Sequence, residues 1–296
     1  KIGETGRPAE TIYRSDKATI TIPDVDMNVK SAIKKHLPRH VLRLYWIVRY
    51  PSLPGWKWLQ WLRSLRHHLT GPMPMKEFRD YNEYWRMRGE LNIVFRRWQI
   101  AADLIEDGTS VLDVGCGSGE FLTYLQSRKA NAEIAAVDIS DIAVQRTREK
   151  GFEARVADLR RQPLDKDYDY ITCFEVLEHI QDAEVVFSEM IRHVRRRLIV
   201  SVPNAGCLRC RSRLAIFGRF PIVAIALHVK EHIRFWTIKD FREWVRALGG
   251  EVVGIHGQFG SNYMPWKLLP GLFSWGIVYV VEPRREETKG HSPPPA

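Results

Sequence analysis

A chain of 296 residues with 45% hydrophobic and 27% charged side chains holds enough apolar material for one large or two small domains, which excludes a wholly disordered or collagen-like protein. Its 45 Lys and Arg outnumber 35 Asp and Glu unevenly: residues 1–80 carry +8 and the rest +2, with eight Arg and no acid between 191 and 220, so two basic segments are candidate contacts for phosphate, anionic lipid or an acidic substrate. The longest apolar stretches, 220–227 and 271–281, fall short of the roughly 20 residues of a membrane span, and four cysteines are too few for a disulfide scaffold, which points to a reducing cytoplasm.

Residues 1–76 form a basic extension, irregular at first, with Pro8, Pro23 and Pro38 as breakers. Over 39–69 the texture changes. Trp46, Trp56, Trp58 and Trp61 stand among leucines and are interspersed with Arg and Lys, and the 58, 62, 65, 69 spacing is helical. Such a face either packs on the following domain or lies on an anionic membrane surface, which would make the protein membrane-associated. After Gly71-Pro72 a second helical stretch runs from Glu77 to Ile105.

Strands are predicted at 110–114, 133–137, 153–156, 168–174, 197–202, 251–256 and 276–281, with helices at 119–128, 140–150, 182–193 and 238–248. This alternation implies parallel βαβ units and a doubly wound α/β sheet. Residues 77–285 are the predicted domain, with 203–236 as an insertion over the open edge of the sheet and 286–296 as a disordered tail.

The strongest motif is Val111-Leu112-Asp113-Val114-Gly115-Cys116-Gly117-Ser118-Gly119-Glu120, a strand entering a glycine-rich turn that opens a helix. Glycines let the backbone approach a ligand where a Cβ would clash. Asp138 ends the second strand in Ala136-Val137-Asp138-Ile139, where a carboxylate can accept both hydroxyls of a ribose. The dinucleotide pattern fails, since no third glycine follows at the required offset, and Asp113 and Glu120 would repel a pyrophosphate. A cationic sulfonium fits better.

With these residues the sequence resembles the class I S-adenosylmethionine-dependent methyltransferases, over roughly 77–282. The resemblance implies a Rossmann-like methyltransferase sheet of seven strands, the last antiparallel, with a helical N-terminal extension. It further implies that Asp113, Gly115, Cys116 and Gly117 line the methionine part of S-adenosylmethionine, that Asp138 and Ile139 hold the ribose, and that Asp158 and Leu159, in Ala157-Asp158-Leu159, address the adenine.

Cys173-Phe174-Glu175-Val176-Leu177-Glu178-His179 follows at the carboxyl end of the fourth strand. If a helical turn starts there, Glu175, Glu178 and His179 share one face and could hold Mg²⁺, Mn²⁺ or Zn²⁺. This E-x-x-E-H resembles the metal-binding motif of ubiquinone-biosynthesis O-methyltransferases and of small-RNA 3′-terminal 2′-O-methyltransferases. The RNA enzymes carry a further ligand His before a W-T step, and Glu231-His232-Ile233-Arg234-Phe235-Trp236-Thr237 matches, making His232 the fourth candidate. The alternative is a metal-free pocket in which Glu175 caps a helix and His179 or His232 acts as general base.

Val202-Pro203-Asn204-Ala205-Gly206, Gly218-Arg219-Phe220-Pro221 and Thr237-Ile238-Lys239-Asp240-Phe241 resemble the MetW family of methionine-biosynthesis proteins, although the basic extension and the acidic pair depart from it. Cys207-Leu208-Arg209-Cys210 reads as a surface accident for want of a second pair. In Tyr81–Arg88, Tyr84 and Arg88 are candidates to touch cofactor from a lid helix. The sequence therefore predicts methyl transfer to oxygen of a small-molecule or lipid-like acceptor. A non-catalytic MetW-like cofactor-binding partner stands second, and an RNA 2′-O-methyltransferase third, because no RNA-binding motif is readable.

Overall fold

The computed structural model describes residues 66, 69–88, 93–221, 225, 228–258 and 269–284. All belong to the second of two units into which the chain divides, Arg63–Ala296. The tail and, but for Arg66 and Leu69, the Trp-rich stretch 39–69 lie outside the described residues.

Seven strands form one sheet in the order β3-β2-β1-β4-β5-β7-β6. They are β1 Ser110–Val114, β2 Glu133–Asp138, β3 Glu153–Val156, β4 Tyr168–Phe174, β5 Val194–Pro203, β6 Gly250–Gly257 and β7 Gly276–Pro283. β1 pairs in parallel with β2 and β4, β2 with β3, and β4 with β5, while β7 runs antiparallel to both β5 and β6. The fold is thus the expected Rossmann-like methyltransferase sheet. Helices α1 Tyr81–Met87 and α2 Arg96–Leu104 precede the sheet, and α3 Glu120–Arg128, α4 Asp141–Glu149, α5 Ala183–His193, α6 Leu208–Phe217, α7 Ile238–Ala247 and the single turn α8 Pro270–Phe273 lie between strands.

Alternation along the strands builds a core on each face. Leu112, Val114, Ile171 and Cys173 face α5 and α7 residues Phe187, Met190, Phe241 and Val245. Val111, Tyr170 and Ile199 face Ile100, Leu122, Leu125 and Val144 from α2, α3 and α4. Burying such a side chain contributes about 1.5–3 kcal/mol, so these two layers hold the sheet as a rigid platform. Caps set the helix starts: the Ser140 hydroxyl accepts from the Ala143 N–H (3.3 Å), and Thr237 and Asp240 form a reciprocal capping box.

Four expectations change. The helical stretch 77–105 is two helices, because Asp80 caps α1, Arg88 ends it in extended backbone and Phe95 begins α2 from extended backbone. β5 starts at Val194 rather than 197, since Arg195, Arg196 and Arg197 are strand residues paired with Asp167, Glu106, Asp169 and Glu282, and their charge hides the pattern. The insertion 203–236 has regular structure of its own. It contributes the unpredicted α6, and its 231–234 segment docks at the carboxyl end of β4, with the Ile233 N–H donating to Glu178 O at 2.9 Å. Nor is 191–220 a bare cationic patch: Arg192 pairs with Glu189, Arg209 stacks on Trp275, the Arg211 Nε donates to Gly206 O, and buried Arg213 donates to Phe220 O and Gly71 O.

Candidate active site

The strand order reverses between β1 and β4, and open α/β sheets place ligands at the carboxyl ends beside such a reversal. A cavity of about 410 Å³ opens there, within the roughly 300–1,000 Å³ usual for small-molecule sites. One end is built by the loops after β1, β2 and β3, the other by the loop after β4 together with α1 and the 231–232 segment.

At the first end the chain leaves β1 through three left-handed glycines, Gly115 (φ 76°), Gly117 (φ 56°) and Gly119 (φ 77°). A Cβ on Gly117 would lie 2.5 Å from the Trp85 ring, and one on Gly115 would strike Val176. Positions 115 and 117 are therefore closed to any side chain. Asp138, at the end of β2, is buried; its Oδ2 accepts from the Gly117 N–H (3.0 Å) and its Oδ1 from the Ser140 N–H (2.9 Å). Each oxygen keeps further acceptor capacity, so the carboxylate is held by backbone and still able to bind hydroxyls. Asp113 is buried deeper and accepts from the Thr172 hydroxyl (2.6 Å); burial pushes its carboxyl up to about 7. Cys116 and Leu159 are buried and Ile139 exposed on the same wall, and Asp158 is gripped by Arg160 at 2.7–2.9 Å. Every predicted cofactor residue thus lines one cavity.

At the second end β4 does not run into a helical turn. Glu175 is the one non-glycine residue at positive φ (55°) among those described, and Leu177–His179 is a 3₁₀ turn. Glu175 consequently points away from its expected companions. Its Oε1 accepts from Ser201 Oγ (2.8 Å) and Gln258 Nε2 (2.6 Å). What the structure does bring together is Glu178, His179 and His232, each with one ligand-type atom within 4.8 Å of the others. Glu178 is fully buried, and neither carboxylate oxygen has a hydrogen-bond partner among the described residues. Burial, reinforced by Glu175, holds its carboxyl well above the usual range. The same burial lowers His179 and takes His232 down to about 3, so both imidazoles are neutral near pH 7. His179 Nδ1 lies 2.5 Å from Glu231 O, which fixes the proton on Nδ1 and turns Nε2 toward Glu178 (3.9 Å).

Sequence reasoning found Tyr84 and Arg88, which do line the cavity, with Arg88 bonded to the Tyr84 hydroxyl and lying over the Tyr84 and Trp85 rings. It missed the seat of Trp85 on Gly117, the packing of Tyr81 against His179 (6.2 Å between ring centres), and Gln258, which reaches Glu175 from beyond β6 with no motif to announce it.

This sheet order, the glycine turn after β1 and a buried acid ending β2 define a class I S-adenosylmethionine-dependent methyltransferase. Residues 83–254 match the family described as "Methyltransferase domain", and the chain belongs to that family. It is 25% identical over 192 residues to the bifunctional methionine biosynthesis protein MetXA/MetW of Rhodopirellula baltica, a match that covers 60% of this chain but only 30% of that one. It is 26% identical over 199 residues to the ubiquinone biosynthesis O-methyltransferase of Xanthomonas oryzae pv. oryzae, covering 62% of this chain and 80% of the relative. Among solved structures it resembles magnesium protoporphyrin IX methyltransferase from Synechocystis with bound SAH, at 20% identity and a TM-score of 0.46, over 75% of this chain and 98% of that one.

Proposed function

We propose that the protein transfers a methyl group to a hydroxyl oxygen of a small, aromatic or lipid-like acceptor. The observation that carries this reading is the position of His179: on the cavity wall, with Nδ1 anchored to Glu231 O and Nε2 left to receive a proton. The name of the Xanthomonas relative, an O-methyltransferase, supports the choice of oxygen.

S-adenosylmethionine supplies a methyl group already activated on a sulfonium, so the protein's work is alignment, proton removal and exclusion of water. The shape of the site fits that molecule: a backbone turn at Gly115 and Gly117 on the cavity wall, and at Asp138 a carboxylate with acceptor capacity turned to the cavity. Asp138 would accept the ribose hydroxyls, with Asp158 and Leu159 beside the adenine and Gly115 and Gly117 under the methionine part. Tyr81, Tyr84 and Trp85 form an aromatic wall against which an acceptor ring can lie while its hydroxyl faces His179. His179 Nε2 then takes the hydroxyl proton as the oxygen attacks, a role worth roughly 10²–10⁴-fold in rate. The test is a methyl-transfer assay by mass spectrometry over a panel of phenols and catechols with short and long alkyl chains. His179→Ala should lose about 100-fold or more in turnover and keep its S-adenosylmethionine affinity; full activity in this variant would defeat the assignment.

A second reading is favoured by one feature, the unpartnered Glu178 carboxylate. A buried carboxylate without a hydrogen-bond partner costs several kcal/mol unless it takes up a proton or a cation. Glu178, His179 and His232 make an oxygen and two-imidazole donor set suited to Zn²⁺ or Mn²⁺, and the Nδ1 contact of His179 to a carbonyl is the outer support such ligands use. A bound cation would lower the acceptor hydroxyl's pKa. Metal analysis after dialysis against a chelator, on the wild type and Glu178→Gln, tests it: retention by the wild type and loss in the variant support a metal, and absence from both removes it.

A further inference from the structure

Cys207 and Cys210 stand apart from the chemistry above. The sequence reads them as a surface accident, yet both are buried, at 1% and 2% exposure, with their sulfurs 3.2 Å apart. Their placement on α6 accounts for the approach. Cys207 is the N-cap residue, in extended backbone (φ −66°, ψ 152°), and Cys210 is the third residue of the helix. An N-cap side chain reaches over the first turn toward that third position, where it ordinarily meets an N–H. Here it meets a second sulfur. The intervening Arg209 is held aside, its guanidinium 3.6 Å from the centre of the Trp275 ring, and Cys210 Sγ also lies 3.8 Å from Asn204 O.

The two thiols differ in the way a reactive pair needs. The Cys207 thiol is pushed down, chiefly by its hydrogen bond with Cys210 and also by the backbone N–H of Cys210 and the charge of Arg209, against the opposing effect of burial. The Cys210 thiol is pushed up. Cys116 and Cys173, the other two cysteines, are free thiols raised by burial, each without a nearby sulfur partner among the contacts described. They serve as internal controls.

We propose that Cys207 and Cys210 are a reversible dithiol–disulfide site that exchanges with small disulfides of the glutathione class. The Cys207 thiolate attacks one sulfur of the oxidant, forming a mixed disulfide and releasing one glutathione thiolate. Cys210 gives up its proton and attacks the Cys207 sulfur, which releases the second. One S–S bond forms as another breaks, two electrons pass to the oxidant, and the two protons end on the two glutathione thiols. Closure needs the sulfurs to approach by about 1 Å, to the ~2.05 Å of a disulfide. Because both are covered, exchange proceeds through opening of the first turn of α6, and the pair is slower than an exposed thiol but not sealed.

The experiment uses the full chain, reduced and then equilibrated from both directions in reduced and oxidised glutathione at graded ratios, quenched in acid, alkylated and mapped by peptide mass spectrometry. The expected result is that Cys207 and Cys210 lose alkylation together at a shared midpoint, with at least about tenfold more 207–210 disulfide than any pairing of Cys116 or Cys173. Cys210→Ser should trap glutathione on Cys207; if that variant fails to fold, closure in the wild type decides alone. Two results overturn the proposal: both residues stay alkylatable at every ratio, or they carry glutathione without closing.

Discussion

Asp138 ends β2 and Glu178 lies in the 3₁₀ turn after β4, both buried, and they are opposites. Asp138 receives backbone N–H groups on both oxygens, which offset part of the burial that pushes its carboxyl up. The Glu178 carboxylate receives no hydrogen bond from the described residues. The difference teaches how a buried acid can be prepared for two tasks. A carboxylate already held by amides is a fixed acceptor for hydroxyls, whereas one left bare is a demand for a positive charge or a proton.

Substitution of Asp138 should have the largest effect. Losing two charge-assisted bonds to ribose hydroxyls, each worth about 1.5–3 kcal/mol, predicts at least a 100-fold loss of S-adenosylmethionine affinity in Asp138→Ala by calorimetry. Affinity within tenfold of the wild type would break the comparison at its better-supported end. Gly117→Ala comes next. Its left-handed φ and the 2.5 Å approach to the Trp85 ring cost about 1–3 kcal/mol, which should weaken cofactor binding about tenfold, and pairing it with Trp85→Ala should restore part of the loss. Glu178→Gln should be milder for folding, because a protonated carboxyl and an amide are both neutral; a melting-temperature change within about 4 °C is expected, with cofactor affinity kept. A collapse of stability there would mean that Glu178 is charged and paired in the folded protein.

A further effect concerns pH. Burial raises Asp113 from 3.8 to about 7, so the folded protein retains a proton that the unfolded chain has already released. Folding then binds protons in this window, and the contribution of Asp113 to stability falls as pH rises from about 4 to 7. Asp113→Asn should flatten that decline, seen as a smaller loss of melting temperature across the same range. An unchanged slope would place the titration elsewhere.

Much of this was readable from the chain. β1, β3 and β4 coincide with the predicted strands because apolar runs bounded by turn residues leave little choice of ends, and the cofactor wall follows because glycines and an acid at strand termini are local features. Contributions that depend on geometry between distant segments were not readable. The E-x-x-E-H spacing implied a shared helical face, but the backbone at Glu175 turns left-handed and separates it from Glu178 and His179. His232 could be matched to its place only by pattern, since what brings it there is the pairing of 233–234 N–H groups with Glu178 O. Gln258 and Trp85 carry no signal of their own. Each acquires its position from the packing of a neighbouring element.

The ends of β1 and β4 both bend the chain into left-handed backbone, by contrary means. After β1 the side chain is dispensed with, and room is what the glycines provide. After β4 a full glutamate is kept in a conformation that costs an L-residue about 1–2 kcal/mol, and its carboxylate is tied to Ser201 and Gln258. A glycine at 175 would relax the backbone and cut those ties, so the two contributions work against each other. The bend after β4 is thus clamped from its neighbour β5 and from the end of the edge strand β6, and both take part in setting the angle at which His179 meets the cavity.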